Sequence, residues 1–325
     1  MDRKKIAVLV INYNGQVFLR DCFDSLLSLD NANCADIYLL DNNSQDDSRS
    51  LTEKNYKGIE IINTGANLGF SGAYNYAHNK LEESGKKYDY YFILNNDTVC
   101  WSKDIYTKTF RLFSDQKVGI VAPTLIDKNG MIQIEAGNFI FLTGTTLGYN
   151  SGRKYHDEGL NRPYLSKWAS GAAFFIPSSL FQSVGGFEDY FMYQEDVCLS
   201  WKVLNKDLKI ISDPDMAIIH YAGGTKKEST FEHYYSERNR IIMYWQNLST
   251  FSFVIFLPFF LLLRILLLPA QRNLKIALAK FKGLLKGLLL CFSYPKKNNS
   301  FFRDLRTISF FNSKIAKYEN PISNT

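Results

Sequence analysis

The chain is short of the residues that mark several functional classes. Its five cysteines (Cys22, Cys34, Cys100, Cys198 and Cys291) are odd in number and scattered over 325 residues. They form no CxxC pair and no Cys/His ligand spacing, which excludes a disulfide framework and a zinc site and predicts free thiols in a reducing compartment. No GxGxxG follows the first apolar run and no GxxxxGK[ST] occurs, so ordinary dinucleotide-binding and P-loop NTPase readings lose support. A signal peptide is not expected either. MDRKK is basic, but the apolar run Ile6 to Ile11 is shorter than a signal core and ends in INYNG, a strand entering a turn.

Charge is unevenly divided. The formal net charge is +6, yet residues 249–325 carry 12 Lys/Arg and 2 Asp/Glu, so residues 1–248 are acidic at −4. An acidic body excludes a nucleic-acid partner, and the basic tail points to an anionic surface. A hydrophobic content of 46% supports one large catalytic domain with an appendage. The division expected is a body over 1–248, split near residue 125, and a tail over 249–325.

The body alternates strand and helix patterns. IAVLVI, DIYLLD, IEIIN, YYFILN and VGIVAP read as strands, with helices after IAVLVI, over 70–83 and around 103–114. This predicts an α/β fold, a mostly parallel mixed sheet flanked by helices. Ligands in such sheets bind beyond the carboxyl ends of the strands. NYNG, DNNS, NTGANLGF and NND sit at four such ends. Ordinary turn chemistry is the competing account, but it does not explain why all four clusters share one edge.

These ends supply the candidate nucleotide-binding residues. Asp41 could accept from a pyrimidine ring N–H, with Asn12, Tyr13 and Asn14 lining base and ribose. Asn67 and Gly69 open a helix whose N-terminus favours a phosphate. Asp97 closes YYFILNND beside Asn95 and Asn96 and is the expected metal anchor. Further on, GGFEDYFMYQEDVCLSW places Glu195 and Asp196 at the start of a helix, where the dipole stabilises carboxylates; plain capping is the alternative. Adjacent helix positions diverge by about 100°, so the two cannot flank one bond as glycosidase carboxylates do. One acting alone as a base is the better chemistry. His220 ends an apolar strand, and metal ligation by it requires proximity to Asp97.

VINYNG, DNNSQDDS, ANLGFSGAYN, LNND, ASGAAFFI, GGFEDYFMYQEDVCLSW, HYAGG and YYSERNR occur in an order that resembles the inverting glycosyltransferases of family 2, in the bacterial rhamnosyltransferase-like branch, over roughly 5–245. The resemblance implies a GT-A fold and displacement with inversion, from dTDP-rhamnose or a UDP-sugar to a saccharide or lipid-linked saccharide. By motif, Asp41 carries over as the base-binding residue and Asp97 as the last position of the DXD-like element, holding Mg²⁺ or Mn²⁺. Asp196 carries over as the base, His220 as a second metal ligand, and Arg238 beside Asn239 as a phosphate contact. Trp168, Gly171 and Glu195 fall on the acceptor side. One departure is that asparagines precede Asp97 where many relatives place a second acid. A single carboxylate should hold the ion loosely, with donor oxygens completing its shell.

The tail combines an apolar run with a basic one. Phe251 to Leu263 is nearly all apolar, interrupted by Pro258, and Arg264 precedes Ile265 to Leu268. A central arginine costs ~3 kcal/mol, which apolar residues at ~0.3–0.6 kcal/mol each offset, so hydrophobicity permits a span. Topology opposes one, because the lysines and arginines from Arg272 onward would be translocated. An interfacial helix or re-entrant hairpin fits better, followed by LKIALAKFKGLLKGLLL as a membrane-surface helix with Lys275, Lys280, Lys282 and Lys286. A soluble helical appendage or a homodimer contact is the alternative. Two other function classes stay open: a metal-dependent sugar nucleotidyltransferase, and an inactive subunit of a polysaccharide assembly complex. The site expected is the cytoplasmic face of a bacterial membrane.

Overall fold

The computed structural model describes residues 4–155, 162–221, 229–271, 273–296 and 299–319. The first half runs β1 (Ile6–Asn12), α1 (Gln16–Leu27), β2 (Ala35–Asp41), α2 (Ser48–Asn55), β3 (Glu60–Asn63), α3 (Gly69–Glu83), β4 (Tyr90–Asn95), β5 (Thr98–Cys100), α4 (Ile105–Leu112) and β6 (Val118–Ile126). The second continues with β7 (Ile132–Ile134), β8 (Gly137–Ile140), β9 (Thr145–Gly148), β10 (Tyr164–Ser166), β11 (Ala173–Pro177), α5 (Ser178–Ser183), α6 (Glu195–Leu204), β12 (Lys209–His220) and α7 (Thr230–Asn247). Then come α8 (Thr250–Leu266), α9 (Leu274–Leu290), α10 (Phe301–Asn312) and β13 (Ala316–Lys317).

The apolar runs become strands because both of their faces are covered. Along β1, Ile6, Val8 and Val10 join one core cluster while Ala7 and Leu9 join the cluster across the sheet, as a two-residue period requires. The main sheet is mixed, with strand order β13-β10-β12-β6-β11-β4-β1-β2-β3. Pairing is parallel from β3 through β4 and again between β6 and β12, while β11 enters antiparallel between β4 and β6. Register aligns the strand ends: Asn12 lies opposite Asp41, Asp41 opposite Asn63, and Ile11 opposite Asn95. The four polar clusters therefore share one edge.

Residues 249–319 fold back onto the body, so the boundary at 248 divides surface character more than packing. Phe139, Trp201, Tyr244, Phe260, Leu284 and Phe311 share one core cluster. Helix α9 lies close on α7, and a Cβ at Gly283 would sit 2.4 Å from the Tyr234 carbonyl oxygen. Asp304 of α10 closes the start of α8, accepting from Ser249 N at 2.9 Å and Ser252 Oγ at 2.5 Å. Strand β13 pairs with β10 at the sheet edge, and Tyr318 Oη donates to Asp115 at 2.7 Å.

Among the described residues, no helix is long and apolar enough to cross a membrane. Arg264 turns inward to Glu237, leaving Phe251, Ile255, Phe259, Leu262 and Leu266 exposed on α8. On α9, Leu274, Leu278, Phe281, Leu285 and Leu289 are exposed at three- and four-residue spacing. Lys275, Lys282 and Lys286 flank that stripe. Arg272 and residues 222–228, which include the glycines after His220, lie outside the described residues.

Candidate active site

A cavity of about 790 Å³ opens at the strand ends, and Asp97, Asp196 and His220 all line it. Asp97 sits in the turn between β4 and β5. Strand β5 pairs antiparallel with β12, placing His220 opposite Thr98, and Tyr221 N donates to Asp97 O at 2.9 Å. That ladder brings His220 Nε2 to 3.5 Å from Asp97 Oδ1. On the far side of the imidazole, His220 Nδ1 lies 2.9 Å from Gln133 Oε1, and Gln133 Nε2 donates to His220 O at 2.8 Å. A proton on Nδ1, donated to Gln133, leaves the Nε2 lone pair facing the carboxylate side, the arrangement of a metal-ligating histidine. Among the described residues, no cluster of three or more His, Cys, Asp or Glu side chains suits a metal ion. The pair fits half of a coordination shell. Gln133 carries no motif, and sequence reasoning missed it.

Asp196 occupies the first turn of α6, where its Oδ2 accepts from Gly171 N at 3.0 Å and its Oδ1 from Val197 N at 2.8 Å. Gly171 faces the Phe70 ring, which a Cβ there would meet at 2.9 Å. The carboxylate is half-buried, and desolvation raises its pKa above the ordinary aspartate value despite these amides. Glu195 is buried, and desolvation followed by the Asp196 charge pushes its pKa well up. Its Oε2 has no hydrogen-bond partner among the described residues. Environment thus separates the pair into a carboxylate with open surface and a shielded acid. Trp168 lines the same wall, its Nε1 donating to Asn138 O at 3.1 Å.

The loop before α6 is strained and tightly held. Phe191, Tyr193 and Gln194 have φ of 66°, 71° and 72°, a region that costs side-chain-bearing residues ~1–3 kcal/mol each. Every carbonyl from Tyr190 to Tyr193 is occupied. Asn239 Nδ2 donates to those of Tyr190, Met192 and Tyr193 at 3.2, 2.7 and 2.8 Å. Arg238 Nη2 donates to Tyr190 O at 2.7 Å, and Phe70 N to Phe191 O at 2.6 Å.

Three of the expected donor contacts are engaged by protein partners in this geometry. Arg238 braces the loop, stacks over Tyr235 at 4.4 Å and does not line the cavity. Gly69 lines the cavity with Phe191 packed close against it, so a Cβ there would clash with Phe191 O. The amides of Gly69 and Phe70 are already donated to Asn67 Oδ1 and Phe191 O. Asp41 is fully buried, with Arg49 Nε 3.1 Å from its Oδ2 and Ser44 N 3.3 Å away. It does not line the cavity.

Asn12 and Asn14 act one step back. Asn12 accepts from Asn96 Nδ2 at 2.5 Å and donates to Ser44 Oγ at 3.0 Å. Asn14, at φ 52°, accepts from Gln45 N at 2.7 Å. Tyr13, Asn67 and Asn96 do line the cavity. So does Asn42, which was passed over beside Asp41; its Nδ2 donates to Asn67 Oδ1 at 3.0 Å.

The chain is 26% identical over 238 residues to an N-acetylglucosaminyl-diphospho-decaprenol L-rhamnosyltransferase of Mycobacterium tuberculosis, covering 66% of this chain and 76% of that relative. It is 23% identical over 201 residues to the O-antigen chain rhamnosyltransferase WbaN of Salmonella anatum, covering 61% and 60%. Among solved structures it is similar in fold to the mannosyltransferase PcManGT from Pyrobaculum calidifontis, crystallised with GDP-Man and Mn²⁺. That match has a TM-score of 0.55 at 13% identity and covers 95% of this chain and 85% of that one. S. aureus TarS 1–349 is alike at TM-score 0.55 and 12% identity, covering 98% and 97%. The family described as Glycosyl transferase family 2 matches residues 7–181, more than half of the chain, and the protein belongs to that family.

Proposed function

We propose that this glycosyltransferase moves a sugar, with inversion, from a nucleotide-diphosphate donor to a lipid-linked saccharide at a membrane surface, with dTDP-rhamnose the leading donor. The observation that carries the reading is that Asp97, His220 and Asp196 line one cavity, with Asp97 and His220 3.5 Å apart. The choice of donor and acceptor leans on the names of the two rhamnosyltransferases to which the chain is similar.

In this reading the donor lies over Tyr13, Asn42, Asn67 and Asn96, its diphosphate toward Asp97 and His220. Those two side chains would hold Mg²⁺ or Mn²⁺, the donor supplying the remaining oxygens. When bound, such an ion offsets charge growing on the leaving diphosphate. Asp196 accepts the proton of the acceptor hydroxyl. Two backbone amides fix its orientation, and burial raises its basicity toward the working range. Trp168 and Gly171 shape the acceptor side, and the strained loop presents Glu195 and Asp196 to it. The exposed stripes of α8 and α9, with the flanking lysines, would place this site against an anionic membrane surface.

The deciding experiment incubates the protein with dTDP-rhamnose or a panel of UDP-sugars and a prenyl-diphosphate saccharide, and reads nucleoside diphosphate release and lipid-linked product. A parallel arm with NTPs and sugar phosphates tests the nucleotidyltransferase alternative. Pyrophosphate release there, with no product from any sugar nucleotide, would overturn the reading.

A further inference from the structure

The catalytic cavity extends beyond Asp196 to Arg240 on α7, Arg264 on α8 and Lys280 on α9. There it adjoins a smaller cavity of about 120 Å³ that also touches Arg264 and Lys280 and is walled by Leu267, Leu268 and Ala270. Cations gather at this end among the described residues. Glu237 serves both guanidinium groups, with Arg240 Nη1 at 2.9 Å and Arg264 Nε at 3.1 Å, Arg264 Nη2 also reaching it. Lys280 adds a third cation, its Nζ donating to Gln271 Oε1 at 2.8 Å. A second carboxylate, Glu232, also lines the cavity.

These cations are held out of water. The side chains of Arg240 and Arg264 are 9% and 14% exposed. Burial pulls the Arg240 guanidinium down to about 10 and lowers that of Arg264. Both arginines also tie down the turn between β8 and β9, through Gly144 O at 2.8 Å and Thr143 O at 3.5 Å. Each guanidinium has five N–H donors, more than one shared carboxylate and one carbonyl accept. Buried guanidinium groups with spare donors are matched by a compact oxyanion, and their forks suit phosphate oxygens. Beside it, Leu267 is 43% exposed and continues the apolar stripe of α8.

We propose that this end of the cavity seats the diphosphate of a lipid-linked acceptor, with Arg240, Arg264 and Lys280 as its ligands and the alkyl chain leaving over Leu267 and Leu268. The assignment rests on the lipid-linked acceptor of the proposed function and adds where its anionic group is read. It separates two diphosphates in one cavity: the donor's at Asp97 and His220, the acceptor's at the arginines.

The test measures farnesyl diphosphate binding to the full chain by calorimetry, with saturating dTDP and UDP present. Expected is binding that the nucleotides do not displace and that farnesol does not reproduce. Lys280→Met and Arg264→Gln should weaken it by roughly ten-fold or more, with dTDP affinity unchanged. Lys280 is the safer variant, because Arg264→Gln removes a buried partner of Glu237 and requires a thermal-melt check. Displacement by dTDP, equal binding of farnesol, or wild-type affinity in Lys280→Met would overturn the assignment. Binding is read without turnover, so a failure of the transfer reading itself, no product from the wild type with any sugar nucleotide, is a separate result.

Discussion

Asp97 Oδ1 and His220 Nε2 face each other at 3.5 Å across the β5–β12 ladder, with Gln133 holding the opposite edge of the imidazole. A two-residue site of this kind should bind a divalent ion weakly until donor oxygens arrive. Calorimetry is expected to show weak Mn²⁺ binding without donor and tight binding with it. Gln133→Leu should raise the metal concentration for half-maximal rate by about 10–100-fold, because the imidazole loses its orienting partner. Tight Mn²⁺ binding to the donor-free protein would contradict the half-site.

Acid should switch the enzyme off at a higher pH than an ordinary carboxylate would dictate. Asp196 must be ionised to act as base, and burial raises its pKa. The acid limb of kcat/KM is therefore expected above about 3.9, the unperturbed aspartate value. Glu195 gives a matching stability signature. Its folded pKa is raised above the unfolded one, so its contribution is fully present at low pH and is lost as pH rises through the folded value. Glu195→Gln removes that loss. Its melting temperature relative to wild type should climb from pH 4 to pH 8, and a gap independent of pH would refute the assignment.

Arg238 and Asn239 offer a contrast between bracing and ligand contact. As braces of the loop at 190–193, they should affect presentation of Asp196 and leave the donor diphosphate alone. Asn239→Ala leaves the Met192 and Tyr193 carbonyls without their donor, while Tyr190 O keeps Arg238, and each unsatisfied group costs ~1–3 kcal/mol. Arg238→Ala should lower kcat with donor KM within about two-fold, the signature of an interaction outside donor binding. A large rise in donor KM with kcat intact would restore the phosphate contact.

Membrane contact through α8 and α9 is tested by co-sedimentation with phosphatidylglycerol vesicles. The exposed lysines contribute about 1 kcal/mol each near an anionic surface, so binding should fall with salt and be absent on phosphatidylcholine. Leu278→Glu with Phe281→Glu should release the protein without changing its melting temperature, because both side chains face outward. Unchanged sedimentation would point to another use for the stripe.

What the sequence made legible follows from local physics. Strands β1, β2 and β4 announce themselves as continuous apolar runs because both faces are buried, and the start of α6 at Glu195 follows from an acidic pair before Leu199 and Val203. The shared edge of the Asn/Asp clusters follows from parallel register. Long-range partners were not legible. Nothing local tells that Arg49 covers Asp41, that Gln133 reaches His220, or that bulky Phe191 and Tyr193 adopt left-handed backbone. The tail misleads for a related reason. An amphipathic helix reads the same whether its inner face meets lipid or, as at Gly283, another helix.

Asp196→Asn tests the central claim most directly. The substitution keeps shape and a backbone-accepting oxygen but removes the base. Donor binding, read by calorimetry with the sugar nucleotide, is expected to stay within about two-fold of wild type, while transfer to the lipid-linked acceptor falls by about 10²–10⁴-fold. Transfer at a near-normal rate in that variant would contradict the assignment and leave the proton without an acceptor at the start of α6.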